Sequence, residues 1–139
     1  MIERMHRRFL DVVRVELNRN GFRDISPAQA VMLSNIGEGG MSVRDLIERG
    51  FYLGSNASYN LKNLVEGFYV DRLIDERDHR QAQLQLTEKG KKVLAVLEAL
   101  NNHIADPMKE SETAHSFDIA YRILRKLEHR WSDSLHFNR

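Results

Sequence analysis

Residues 69–87, YVDRLIDERDHRQAQLQLT, decide how the rest of the chain is read. Tyr69-Val70-Asp71-Arg72-Leu73-Ile74 and Gln81 to Leu86 read as two short strands, and Gln83-Leu84-Gln85-Leu86 alternates polar and apolar residues with period two. The charged run from Asp75 to Arg80 reads as the tip of the hairpin between them. Just ahead of the hairpin lies a Ser/Tyr/Asn-rich segment with helical spacing, SNASYNLKNLVEGF. A charged hairpin behind a polar-faced helix offers two sets of side chains, suited to two neighbouring grooves of a nucleic-acid duplex.

Working outward, apolar residues at helical spacing define five further elements. Ile2, Met5, Phe9, Val12, Val13 and Leu17 mark a first helix over 2–20, stopped by Gly21. Ser26-Pro27 opens a second, with serine as cap and proline at the first helical position, and Ala28, Val31, Met32 and Ile36 as its buried stripe. Ser42 caps a short third helix with Val43, Leu46 and Ile47 inward. The segment SNASYNLKNLVEGF is then the fourth, burying Ala57, Leu61, Leu64 and Val65. After the hairpin, Thr87 caps a fifth helix over 88–105, a polar linker covers 109–116, and a sixth helix runs over 117–136 with Phe117, Ile123, Leu124, Leu127 and Trp131 along one stripe.

Bulk composition excludes several classes. The 139 residues are 42% hydrophobic and 29% charged, which suits a folded domain and not a disordered chain. There is no cysteine, so thiol redox chemistry, thiolate metal sites and disulfides are ruled out. No apolar run approaches the ~18 residues of a membrane span. The first residues, MIERMHRRFLDVV, carry acidic interruptions and no small-residue cleavage site, so no signal peptide is expected and the cytoplasm is the default location. No Ser-His-Asp order, glycine-rich phosphate loop or protected carboxylate pair stands out, so no enzyme activity and no cofactor are expected. Six histidines, His6, His79, His103, His115, His129 and His136, include no helical i, i+4 pair, so no metal site is expected.

The expected architecture is mainly α with a small two-stranded β wing. The chain, 1–139, is read as one winged helix-turn-helix unit with its DNA-binding lobe at 26–87 and dimerisation helices at 1–20 and 88–139. The terminal helices carry more apolar surface than the middle can cover, which points to a second copy of the chain. In the fourth helix Ser55, Asn56, Ser58, Tyr59, Asn60, Lys62 and Asn63 have the short polar inventory that reads base edges in a major groove. A net charge of only +1 gives no bulk attraction to phosphate, so Arg44 and Arg49, Arg72 on the wing strand, and Arg77, His79 and Arg80 at the tip must act locally.

Specific motifs add a resemblance. Asp75-Glu76-Arg77-Asp78-His79-Arg80 followed by Leu86-Thr87-Glu88-Lys89-Gly90 is similar to the D-x-R-D-x-R wing and L-T-x-K-G helix start of the MarR family of winged-helix transcriptional regulators. Ser26-Pro27-Ala28-Gln29, Ser42-Val43-Arg44-Asp45-Leu46 and Ala57-Ser58-Tyr59-Asn60-Leu61 resemble that family's second, third and recognition helices. The resemblance implies a homodimer with interlocked terminal helices that binds a pseudo-palindromic operator in double-stranded DNA, acting as a repressor. It implies that Arg77 and Arg80 contact DNA from the wing, with Asp75 or Asp78 orienting an arginine. It also implies a small-molecule effector as a further partner, for which Phe9, Val13, Met32, Phe51 and Tyr52 are candidate pocket residues.

Three departures stand out. Family members commonly have glycine where Phe68 stands, and here Gly67 comes one position early, so a tighter exit from the fourth helix is expected. His79 occupies a place that is often arginine and weakens the tip charge at neutral pH. The turn Phe51-Tyr52-Leu53-Gly54 is more aromatic than usual. The alternative reading is a winged-helix module for protein interaction that makes no DNA contact.

Overall fold

The structure is a computed structural model that describes residues 1–50, 54–74, 82–106, 109 and 111–136. The elements are α1 (Ile2–Arg19), α2 (Pro27–Ile36), β1 (Met41–Ser42), α3 (Val43–Gly50), α4 (Gly54–Glu66), β2 (Val70–Ile74), β3 (Ala82–Leu86), α5 (Glu88–Ala105) and α6 (Ser111–His136). They divide into two compact units, Met1–Asn101 and Asn102–Arg139. The sequence from α2 to β3 forms a winged helix-turn-helix.

Local chemistry accounts for most boundaries. Gly21, at φ +83, ends α1 by letting Phe22 N–H reach back to the Leu17 carbonyl (2.9 Å) and Gly21 N–H to Asn18 (3.1 Å), the paired bonds of a Schellman stop. The second helix starts in a reciprocal capping box: Gln29 N–H donates to Ser26 Oγ (3.2 Å), and Ser26 N–H donates to Gln29 Oε1 (3.0 Å). Pro27 fills the first helical position, where its missing N–H costs nothing.

The sheet has three antiparallel strands in the order β1-β3-β2, where the sequence led us to expect two. Met41 pairs with Leu84 and Ser42 with Gln83, so a two-residue strand closes the free edge of the wing base. Two residues are too few to show a period-two pattern, and Ser42 also carries a helix-capping signal. Both roles are real: Ser42 sits in β1, and its Oγ accepts from Asp45 N–H (3.0 Å) while donating to Asp45 Oδ2 (2.9 Å). In β3 the alternation holds, with Leu84 and Leu86 buried and Gln85 exposed.

The core of the first unit is one cluster that draws on every element from α1 to α5. Val13 and Leu17 of α1, Met32 and Leu33 of α2, Leu46 of α3, Leu64 of α4 and Leu84 of β3 are at most 1% exposed. This burial positions α4, whose Ala57, Leu61 and Leu64 face inward and leave its polar side outward. Elsewhere on α1 large apolar side chains face solvent, among them Ile2, Met5 and Val15. The second unit is mostly α6, and there Phe117, Ile123, Leu124, Leu127 and Trp131 are each 40–63% exposed. The sixth helix begins at Ser111, six residues before the expected 117, so residues 111–116 are helical and not part of a linker. Their polar composition shows no apolar stripe, and the periodicity becomes visible only at Phe117.

Candidate nucleic-acid interface

The fourth helix runs from Gly54 to Glu66, and its first turns carry the exposed side chains of Ser55, Asn56, Ser58 and Tyr59. Tyr59 is 66% exposed, unusual for an aromatic residue unless it meets a partner. Lys62 is exposed, and Asn60 and Asn63 are half-buried at the edges of the same face. The residues expected to read bases therefore share one side of one helix, with Asn60 and Asn63 set lower than the rest. A helix start also carries a partial positive charge suited to phosphate.

Arg72 on β2 joins this face. It lines a shallow groove with Ser58, Lys62 and Glu66, floored by Val43, Leu61 and Val65. The register places Arg72 opposite Leu84, on the same face of the sheet as the buried Val70, and its side chain is exposed. Arg44 is exposed on α3 and paired with Glu48 at 2.9 Å, and Lys62 is paired with Glu66 at 3.7 Å. Both pairs are open to solvent and worth little to stability, so either cation is available to a phosphate. The last described strand pair is Ile74 with Ala82. Arg77, His79 and Arg80, with Asp75 and Asp78, lie outside the described residues, and so does the side chain of Arg49.

The exit from α4 shows what the sequence reading missed. Tyr69 N–H returns to the Leu64 carbonyl (2.9 Å) and Phe68 N–H to Val65 (3.0 Å), the same stop that ends α1. The left-handed position of this stop falls on Phe68, at φ 60, where glycine is the favoured residue. Gly67, one residue earlier, is needed for a different reason: a Cβ there would lie 3.0 Å from the Tyr69 ring. The exit makes the same bonds as that of α1 and is not the tighter one expected; what differs is a non-glycine residue in the left-handed position, with its side chain 77% exposed.

Three successive carbonyls at this exit are held by the start of α5. Lys89 Nζ donates to Gly67 O (2.9 Å), Thr87 Oγ1 to Phe68 O (2.7 Å), and Thr87 N–H to Tyr69 O (3.1 Å). Thr87 also caps its own helix by accepting from Gly90 N–H (3.1 Å). Lys89 pairs with Asp24 Oδ2 at 2.8 Å and lies 4.0 Å from the centre of the Tyr69 ring, while the Tyr69 hydroxyl donates to Asp24 Oδ1. The Lys89 ammonium, then the Tyr69 hydroxyl, hold the Asp24 carboxyl below its usual range. Burial, then Asp24, push the Tyr69 hydroxyl up. Asp24 raises Lys89. The Leu86-Thr87-Glu88-Lys89-Gly90 part of the family motif therefore forms, in this structure, the joint behind α4. An L-T-x-K-G sequence reveals the cap; it gives no sign that Asp24, 65 residues earlier, completes it.

Of the candidate pocket residues, Val13 and Met32 are fully enclosed in the core and Phe9 packs half-buried against it. Phe51 and Tyr52 lie outside the described residues. Among the described residues no cluster of three histidine, aspartate or glutamate side chains is placed to hold a metal, and no helix is long and apolar enough to cross a membrane.

Comparison with known proteins agrees with this geometry. Residues 23–81 match the MarR family. Over 138 residues the chain is 38% identical to the exopolysaccharide II synthesis transcriptional activator ExpG of Rhizobium meliloti (strain 1021), covering 99% of this chain and 71% of that protein. The fold is similar to the transcriptional regulator SlyA, with a TM-score of 0.77, 20% identity and 94% of each chain covered. It is also similar to FabT of Streptococcus pneumoniae, solved in complex with DNA, with a TM-score of 0.69, 25% identity, and 91% and 94% covered.

Proposed function

As this chain belongs to the MarR family of transcriptional regulators, we propose that it acts as a homodimer that binds a pseudo-palindromic site in double-stranded DNA and regulates transcription from it. The observation that carries the reading is the gathering of Ser55, Asn56, Ser58, Tyr59 and Lys62 on one exposed face of α4, with Arg72 beside it on the wing strand. In this reading Ser55, Asn56, Ser58, Tyr59, Asn60, Lys62 and Asn63 face base edges in the major groove. Arg44 and Arg72 neutralise phosphates, and Arg77, His79 and Arg80 reach from the wing into the adjacent minor groove. The exposed apolar side chains of α1 and α6, too numerous for a soluble monomer, support dimerisation through 1–20 and 88–139.

The sign of regulation follows from where the site lies relative to the promoter. The repressor expected from sequence has one argument against it: the 38%-identical relative is named a transcriptional activator, which favours activation here. A small-molecule effector remains part of the reading. With Val13 and Met32 enclosed, such a ligand enters through a rearranged state and not through a preformed opening at those two residues.

The test is an electrophoretic mobility shift on the DNA upstream of the protein's own gene, comparing wild type with Arg77→Ala/Arg80→Ala. Retarded wild-type complex with weakened binding by the double variant supports the reading; equal binding by both removes the wing from the mechanism. The second reading, a protein-interaction module, is favoured by the net charge of +1 and by the pairing of Arg44 and Lys62 with glutamates. It requires that no salt-dependent affinity for duplex DNA exist.

A further inference from the structure

The joint at the exit of α4 has no part in the proposed base or phosphate contacts, yet four segments meet at it. Lys89, on the first turn of α5, bonds the Gly67 carbonyl at the end of α4, lies against the Tyr69 ring just before β2, and pairs with Asp24 in the connection between α1 and α2. Thr87 takes the next two carbonyls, so each carbonyl of residues 67–69 is tied to the start of α5. Asp24 uses both oxygens, one for Lys89 and one for the Tyr69 hydroxyl. We propose that Lys89, with Asp24 and Tyr69, is a positioning residue that fixes the direction of the recognition helix and wing, and thereby the spacing between half-sites that the dimer accepts. This inference rests on the dimeric DNA-binding reading above.

The geometry gives the joint leverage. A helix of 13 residues is about 20 Å long at 1.5 Å per residue, so a tilt of about 3° at its exit moves its base-reading start by about 1 Å. Adding one base pair between half-sites separates them by about 3.4 Å and rotates one against the other by roughly 35°. A dimer whose lobes are locked at their exits rejects that change; one with loosened exits absorbs part of it. The Lys89 and Asp24 side chains are 39% and 58% exposed, so their pairing adds little to global stability. Orientation and stability are therefore separable at this site.

The experiment uses the full-length protein and a duplex that wild type selects from a random DNA pool. Affinity is measured for that duplex, for versions with one central base pair added or removed, and for one with a single half-site base changed. Lys89→Met keeps the apolar stem and removes the charge, Asp24→Asn removes the other partner, and Lys89→Arg restores a cation. The expected result is that Lys89→Met and Asp24→Asn narrow the preference for native spacing by about fivefold or more, the low end of coupling between linked sites. Discrimination against the half-site change stays as in wild type, and Lys89→Arg keeps most of the spacing preference. Equal weakening on every duplex, or an unchanged spacing ratio, overturns the proposal and leaves Lys89 a packing residue. Hydrogen exchange of the DNA-free protein supplies the independent arm, because the Thr87 amide is bonded to Tyr69 O. Faster exchange there in Lys89→Met is expected; an unchanged rate overturns the joint whatever the DNA result. If wild type selects no duplex while exchange still rises, the DNA-binding reading fails and takes the spacing claim with it, but the joint stands.

Discussion

Replacing Gly90 by alanine sets two effects of opposite sign against each other. Gly90 lies in the first turn of α5, where helix propensity alone makes alanine better by about 1 kcal/mol. The added Cβ, however, would lie 2.2 Å from Tyr69 O and 3.2 Å from Tyr69 C. A carbon needs more than 3 Å from a carbonyl oxygen, so one partner must move by about 1 Å. Tyr69 O cannot yield freely, because it accepts from Thr87 N–H, and the preceding carbonyl is held by the Thr87 hydroxyl. The start of α5 must shift instead, at roughly 1–3 kcal/mol for overpacking and about 1 kcal/mol for the strained hydrogen bond. The net expectation is a loss of about 1–3 kcal/mol. Urea unfolding followed by circular dichroism, at fixed protomer concentration because association adds to apparent stability, reads this directly. The melting temperature should fall by at least a few degrees. A Gly90→Ala protein as stable as wild type, or more stable, would refute the reasoning, since propensity would then outweigh the contact.

The remaining predictions concern the same joint. Phe68→Gly relieves a left-handed conformation that costs about 1–2 kcal/mol, offset by the greater freedom of unfolded glycine at about 0.5–1 kcal/mol. With Phe68 77% exposed there is little burial to lose, so the variant should be unchanged or up to about 1.5 kcal/mol more stable in the same urea assay. A clear loss of stability would mean that the ring packs on something. The Asp24 carboxyl has its folded pKa lowered, so its contribution is present above its unfolded pKa of about 4 and disappears as pH falls through the folded value. Tyr69 and Lys89 have folded values raised, so theirs are present below about pH 10 and lost as pH climbs through the folded values. Because the Lys89 and Asp24 side chains are 39% and 58% exposed, solvent screens these contributions, so Asp24→Asn should flatten the acid limb only slightly. A strongly flattened acid limb in Asp24→Asn would contradict this, since the pair would then carry more of the stability than its exposure allows.

What the sequence disclosed and what it hid divide along physical lines. Elements with long periodic stripes or local caps were legible: Ser26-Pro27 for α2, Thr87 for α5, and the Gln83–Leu86 alternation for β3 all fall where expected. The polar face of α4 was legible for the same reason, because burial of Ala57, Leu61 and Leu64 leaves the other side of a helix no choice. The strand β1 was hidden because its two residues are held by pairing with Leu84 and Gln83, a partner far along the chain. The polar start of α6 was hidden because Ser111 to Ser116 carry no apolar signal. The clamp of Asp24, Tyr69 and Lys89 was hidden because each residue has an ordinary local role, and only the fold brings them together. The glycine displaced from position 68 is plain in the sequence, whereas the left-handed stop that Phe68 occupies depends on the backbone bonds of the folded exit.

The central claim is that the exposed face of α4 and the wing bind duplex DNA specifically as a dimer. The most direct measurement is affinity for a selected duplex and for a scrambled duplex of equal length across a range of salt concentrations. The account predicts a steep linear fall of log K with log salt, with a slope of roughly −5 to −9 if about six to ten phosphates are neutralised. It also predicts at least a thousandfold preference for the selected sequence, in the range of specific regulators. A flat salt dependence, or equal affinity for the two duplexes, would contradict it.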